Sequence, residues 1–102
     1  MIVRGVNVFP TQIEELILGI PSLSAHYQLI LTREGRLDDL EVWVEARSSA
    51  DLDEARAHAA GELEHAMKAH IGINAKVSVL KPGEIERSLG KAKRVIDKRP
   101  KV

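Results

Sequence analysis

The sequence predicts an α+β domain: a small three-stranded sheet with two packing helices, an N-terminal β-ribbon and a basic C-terminal tail. Three observations predict it. Two stretches of strand-like alternation flank Glu34-Gly35-Arg36, a third apolar stretch ends at Lys81-Pro82-Gly83, and two further stretches repeat apolar residues at helical spacing.

The chain opens on Ile2-Val3-Arg4-Gly5-Val6-Asn7-Val8, where β-branched residues alternate about Gly5 in the pattern of a short hairpin or bent ribbon. Phe9-Pro10 ends it, since proline cannot donate to a ladder. Thr11 and Glu14 have capping-box spacing, with Thr11 as the cap and Glu14 reaching back. Ile13, Leu16, Ile17 and Ile20 then predict a short helix to about Gly19, closed by Pro21. His26 to Leu31 and Leu40 to Glu45 predict an antiparallel pair turning at Gly35. In the second strand Leu40, Val42 and Val44 face the core, and Glu41 and Glu45 face water. Trp43 shares that outer face, where a helix edge or a partner would have to cover it.

Asp51-Leu52-Asp53-Glu54 begins the longest helix, its acids suited to the positive end of the dipole. The predicted buried stripe runs through Leu52, Ala55, Ala59, Leu63, Ala66 and Met67 to His70 or Ile71, and Gly72 is placed to end the helix. Ala75 to Leu80 predicts the third strand. The remainder is polar and basic, with a short helix expected from Lys91 to Lys98.

At 102 residues the chain is a single domain. Aromatic residues are only 3%, which leaves the core to Leu, Ile, Val and Ala and argues against a sheet that stacks RNA bases. Fifteen basic residues balance fifteen acidic ones, so no general attraction to nucleic acid or to an anionic membrane is expected. The distribution is uneven. Lys91, Lys93, Arg94, Lys98, Arg99 and Lys101 crowd the tail against Asp97, whereas acids gather between Asp38 and Glu64. A basic tail on a neutral body suits a local anionic target such as a phosphate. The absence of cysteine excludes disulfides and thiolate metal sites. No apolar run has the length of a membrane span and Met1-Ile2-Val3-Arg4 is no signal peptide, so a cytoplasmic location is expected.

Several polar groups have plain readings. His58, Glu62 and His65 lie at i, i+4 and i+7, which suits a solvated helix face better than a metal site, and no metal ligand is expected. Asp38-Asp39 falls at a hairpin, where solvation is expected. In the tail, Gly90 lets the backbone approach a ligand closely, and Lys91 with Arg94 follows as mobile positive charge. Gly-Lys-x-x-Arg alone reads either as a solvated basic tail or as a loop that carries a lysine into another domain's cleft to stabilise a phosphoryl group.

Taken together, the two ends point further. Val3 to Glu15, with its Arg-Gly pair, ribbon and Ile-Glu helix start, resembles the segment that opens the small C-terminal domain of acyl-adenylate-forming enzymes. Ser88-Leu89-Gly90-Lys91-Ala92-Lys93-Arg94 resembles that domain's closing motif, where Ser-x-Gly-Lys-x-x-Arg holds the adenylation lysine. The spellings from Arg4 to Glu15 and from Glu86 to Asp97, with His26-Tyr27-Gln28 between, are most similar to the phenylacetate–CoA ligase family.

The resemblance implies a two-step reaction that uses ATP and coenzyme A, with Mg2+ expected in the full-length enzyme but not bound by this domain. Lys91 would reach the carboxylate and the α-phosphate in the first step. The ribbon about Gly5 would line the coenzyme A tunnel in the second, since a side chain there would obstruct a pantetheine arm. It also implies contacts from Arg4, Asn7, Gly90 and Arg94; Arg4 is open between structural and phosphate-binding roles, and Asn7 between the turn and the coenzyme. The partners implied are a large N-terminal domain and an aryl acid such as phenylacetate. That large domain's phosphate loop, adenine pocket and acyl pocket have no counterpart here, so a ligase fragment, an excised domain or a stand-alone relative is expected, inactive in adenylation by itself. A homodimer is compatible with an outward Trp43 and open sheet edges. A module of another class, sensing a small ligand and catalysing nothing, remains as the alternative; a sensor would have no use for Lys91.

Overall fold

The computed structural model describes residues 2–48, 52–85 and 95–99. In chain order the elements are β1 (Ile2–Val3), β2 (Val6–Asn7), α1 (Pro10–Leu18), β3 (Leu23–Glu34), β4 (Leu37–Ala46), α2 (Asp53–His70), β5 (Lys76–Leu80) and β6 (Val95–Asp97). β1 and β2 form the expected N-terminal ribbon, and the other strands form one sheet in the order β5-β4-β3-β6. The α+β class holds, but among the described residues the sheet has four strands where the sequence predicted three.

The extra strand replaces part of the helix expected from Lys91 to Lys98. Val95-Ile96-Asp97 pairs in parallel with Leu29-Ile30-Leu31, and the Lys98 amide donates to the Leu31 carbonyl at 2.8 Å. Three residues carry too little periodicity to announce a strand, and their partner lies far back in the sequence. β3 and β4 pair antiparallel from Glu34↔Leu37 inward, longer at both ends than the sequence predicted, about a turn in which Gly35 has φ +61°. β4 and β5 are parallel, so α2 serves as their crossover.

Tyr27, Leu29 and Leu31 of β3 line up with Leu40, Val42 and Val44 of β4 and with Val77 of β5 on one face of the sheet. Ile13 and Ile17 of α1 and Ala59, Leu63 and Met67 of α2 join the same buried cluster. Both helices therefore cover one face. On the other face Trp43 lies between Gln28 and Ser78, half-buried, its indole N–H donating to Glu41 Oε1 at 2.7 Å.

Three local expectations are corrected. α1 begins at Pro10 with Phe9 as its cap, and the Gln12 side chain accepts from the Phe9 amide at 3.0 Å, so Thr11 and Glu14 are not the capping pair. Proline at the first helical position forfeits an amide that would have no partner there anyway, which moves the start forward. Leu52 stands outside α2 and is 70% exposed, so the buried stripe starts later, at Ala59. Glu45, expected in water, is 1% exposed, because the chain after β5 folds over it.

Candidate functional site

The ribbon is a hairpin with a two-residue loop. Ile2 pairs with Asn7 and Val3 with Val6, leaving Arg4 and Gly5 as the turn, at φ +50° and +79°. Positive φ at both positions is the primed turn that matches the right-handed twist of flanking strands. Glycine takes that conformation freely; Arg4 takes it against a cost of about 1–2 kcal/mol. Val3 and Val8 are buried in the core and root the ribbon, while Arg4, Gly5 and Asn7 are exposed. A Cβ placed on Gly5 would meet no atom within 4 Å. The backbone favours glycine here and intramolecular packing does not demand it, so the space above the turn is open to another molecule.

A charged network grips this turn from below. Arg4 donates from Nε to the Asp38 carbonyl at 2.8 Å and from Nη2 to Asp39 Oδ1 at 2.7 Å. Arg99 donates from Nη1 both to the Ile2 carbonyl at 2.8 Å and to Asp38 Oδ2 at 3.0 Å. Its Nε and Nη2 fork onto the two oxygens of Asp97, at 3.0 and 2.9 Å. Arg33 Nε takes the other oxygen of Asp38 at 2.6 Å. The hydrogen bond from Arg33, with that from Arg99, holds the Asp38 carboxyl below the usual carboxylate range although partial burial opposes it. Hydrogen bonds from the Arg99 side chain and amide lower Asp97 to about 2, and Asp97 in turn raises Arg99. The sequence reading took Asp38 for a solvated hairpin residue and Arg99 for tail charge. The signal was the pairing of two acids at a hairpin with arginines at both chain ends, which composition alone does not connect.

Lys91, Gly90 and Arg94 lie outside the described residues. The nearest described residues on either side are anchored. Before them, Glu45 accepts from the amides of Gly83 at 2.8 Å and Ile85 at 2.9 Å. After them, β6 joins the sheet. On α2, His58 Nδ1 pairs with Glu62 Oε1 at 2.7 Å on an exposed face, and among the described residues no three His, Asp or Glu side chains are grouped to hold a metal ion. No helix among them is long and apolar enough to cross a membrane.

The profile of the AMP-binding enzyme C-terminal domain matches residues 5–99. The chain belongs to this family. Among curated relatives it is 50% identical over 101 residues to the phenylacetate-coenzyme A ligase of Pseudomonas putida, covering 97% of this chain and 23% of that protein. It is 48% identical over 105 residues to the enzyme of the same name from Aromatoleum evansii, covering 99% and 24%. The chain thus spans about a quarter of the length of the curated relatives it matches.

Solved ligase structures share the fold. A domain of phenylacetate-coenzyme A ligase from Bacteroides vulgatus superposes with a TM-score of 0.88 at 30% identity, covering 100% of this chain and 94% of that one. A 2-hydroxyisobutyryl-CoA ligase, solved with 2-HIB-AMP and CoA in the thioesterification state, matches with a TM-score of 0.85 at 30% identity over 95% of this chain and 20% of its own. The same ligase in its postadenylation state matches at 0.81, at 30% identity over 95% of this chain and 21% of its own.

Proposed function

We propose that this chain works as the C-terminal domain of an ATP-dependent phenylacetate–CoA ligase, against a large N-terminal domain that holds the nucleotide and the acid. In the first step the acid's carboxylate attacks the α-phosphorus of ATP, giving the acyl-adenylate and pyrophosphate. In the second the thiol of coenzyme A attacks the acyl carbon, giving the thioester and AMP. Lys91 supplies positive charge at the carboxylate and α-phosphate while charge develops there, an effect worth a few kcal/mol when water is excluded. Gly90 lets the backbone beside Lys91 come close, and Arg94 adds a second cation to the same segment. For the second step the domain turns and presents the ribbon, so that the pantetheine arm passes over Gly5. One cleft then runs two reactions in sequence.

What supports the reading is the family match over 5–99 together with a ribbon whose Gly5 opens onto free space. The relative solved in postadenylation and thioesterification states lends support to two working positions for such a domain. Arg4 suits a coenzyme phosphate because its pair with Asp39, 42% and 51% exposed, is held by only about 0–1 kcal/mol and can be exchanged. Asn7 borders the same path. Mg2+ enters this reading only with ATP in the large domain.

Lys91→Ala in the full-length enzyme tests the proposal. Pyrophosphate exchange into ATP should fall by about 100-fold or more, as when a group stabilising transition-state charge is lost. Thioester formation from preformed acyl-adenylate should fall far less. Equal loss in both steps, or none in the first, overturns it.

A further inference from the structure

The ribbon that carries Gly5 has little intrinsic reason to hold its direction. β1 and β2 are two residues each, and an isolated two-stranded hairpin is marginal in water even when longer. Its turn contains a non-glycine residue at φ +50°, which a looser ribbon would relax. Val3 and Val8 root it, yet Ile2 is 61% exposed and packs little on that side. What fixes the ribbon beyond its roots is polar: beside the exposed Arg4–Asp39 pair, the contacts among the described residues run through Asp38 and the Arg99 it holds.

Asp38 meets the ribbon in two ways. Its carbonyl accepts from Arg4 Nε at the tip, and its carboxylate holds Arg99, whose same Nη1 also donates to the Ile2 carbonyl at the base. Arg99 in turn is pre-set by Asp97, which takes its Nε and Nη2, so four of the five guanidinium N–H groups are committed. Arg33 occupies the remaining Asp38 oxygen and stops the carboxylate from rotating away. The side chains of Asp38 and Arg99 are only 13% and 17% exposed, so this pair is screened far less than the Arg4–Asp39 pair above it. Asp97 and Arg99 belong to β6 and the residues just after it, so the clamp joins the two ends of the described chain through the β3–β4 hairpin.

We infer that Asp38 and Arg99 are positioning residues for the thioester step: they touch neither nucleotide nor coenzyme, and they aim the Arg4–Gly5 turn at the thiol's path. The inference rests on the ligase reading, but its structural half does not.

Two measurements separate the two. In the purified chain, Asp38→Ala and Arg99→Gln should raise the backbone dynamics of Val3 to Val6 seen by 15N relaxation, while amides of β3, β4 and α2 keep their protection; an unchanged ribbon overturns the clamp whatever the enzyme does. In the full-length enzyme the same variants should lower thioester formation from preformed adenylate by about tenfold or more, mainly through KM for coenzyme A, because small misplacements of a positioning surface are costly. Pyrophosphate exchange should stay within about threefold, an interaction absent from that transition state leaving its rate alone. Arg99→Lys keeps the charge but cannot form the fork, and should fall between wild type and Arg99→Gln. Equal loss in both steps overturns the inference and marks the network as general stability. If Lys91→Ala spares pyrophosphate exchange in the same assay, the ligase reading has failed; if it abolishes exchange while the clamp variants leave thioester formation intact, only this inference has.

Discussion

Glu45→Ala should destabilise the domain by more than its position on the outer sheet face suggests. Glu45 is the buried charged side chain among the described residues, and its two oxygens accept from the amides of Gly83 and Ile85. Alanine leaves both amides without that acceptor. A buried donor stranded in this way costs about 1–3 kcal/mol. The Ile85 amide is enclosed and pays near the upper end, whereas Gly83 is exposed and its amide can recruit water. Removing the carboxylate also relieves its own desolvation, which offsets part of the loss. The net expectation is about 2–3 kcal/mol, or a fall in Tm of roughly 8–24 °C for a domain of this size. Urea denaturation of the purified chain measures the energy, and amide exchange at Ile85 shows whether the loss is local to that contact. A change below about 0.5 kcal/mol, the range of ordinary surface substitutions, with Ile85 protection unaltered, would refute the assignment of Glu45 as the anchor of this segment.

Leu63→Ala should cost about 2–5 kcal/mol because Leu63 is fully buried between α2 and the sheet. Leu52→Ala, seven-tenths exposed, should change stability by less than about 0.5 kcal/mol; denaturation midpoints of the pair check the register of α2. The acid limb of the stability curve should report the clamp. Asp38 and Asp97 have folded pKa values below their unfolded ones, so their contribution is present above the unfolded value of about 4 and is lost as pH falls below it, for Asp97 through about 2. The groups facing them are Arg33, Arg99 and, through the Asp38 carbonyl, Arg4. Asp97 is 47% exposed, so screening limits its share to about 1 kcal/mol. Asp97→Asn should flatten that limb in a titration followed by circular dichroism, and an unchanged limb would contradict the pairing.

Local patterns were legible and long-range ones were not. Leu40, Val42 and Val44 announced their buried face by alternation, and Gly35 and Gly72 marked a turn and a helix end that positive φ then required. Glu45 misled because alternation puts it on the outer face, where it does lie; what buries it is a segment arriving from beyond β5, which no period of two can foretell. β6 was missed for a similar reason, its hydrogen bonds going to a strand more than sixty residues earlier. At the candidate site, the Arg-Gly turn was legible from composition and spacing. Its clamp was not, because Asp38, Asp97 and Arg99 look like ordinary surface charge until the hairpin and the C-terminal strand meet. The shared cluster of Ile13, Ile17, Leu63 and Met67 puts both helices on one face of the sheet, a placement that depends on which strands pair and so on contacts distant in the sequence.

The account turns on a division of labour between the two ends of the chain, and rates of the two half-reactions in Lys91→Ala and Gly5→Leu enzymes test it most directly. Lys91→Ala should lose adenylation and largely keep thioester formation from preformed adenylate. Gly5→Leu should do the reverse, because its side chain enters the open space above the turn and the strain at φ +79° costs only about 1–2 kcal/mol of stability. Opposite losses are the predicted result; the same ratio of half-reaction rates in both variants would contradict it.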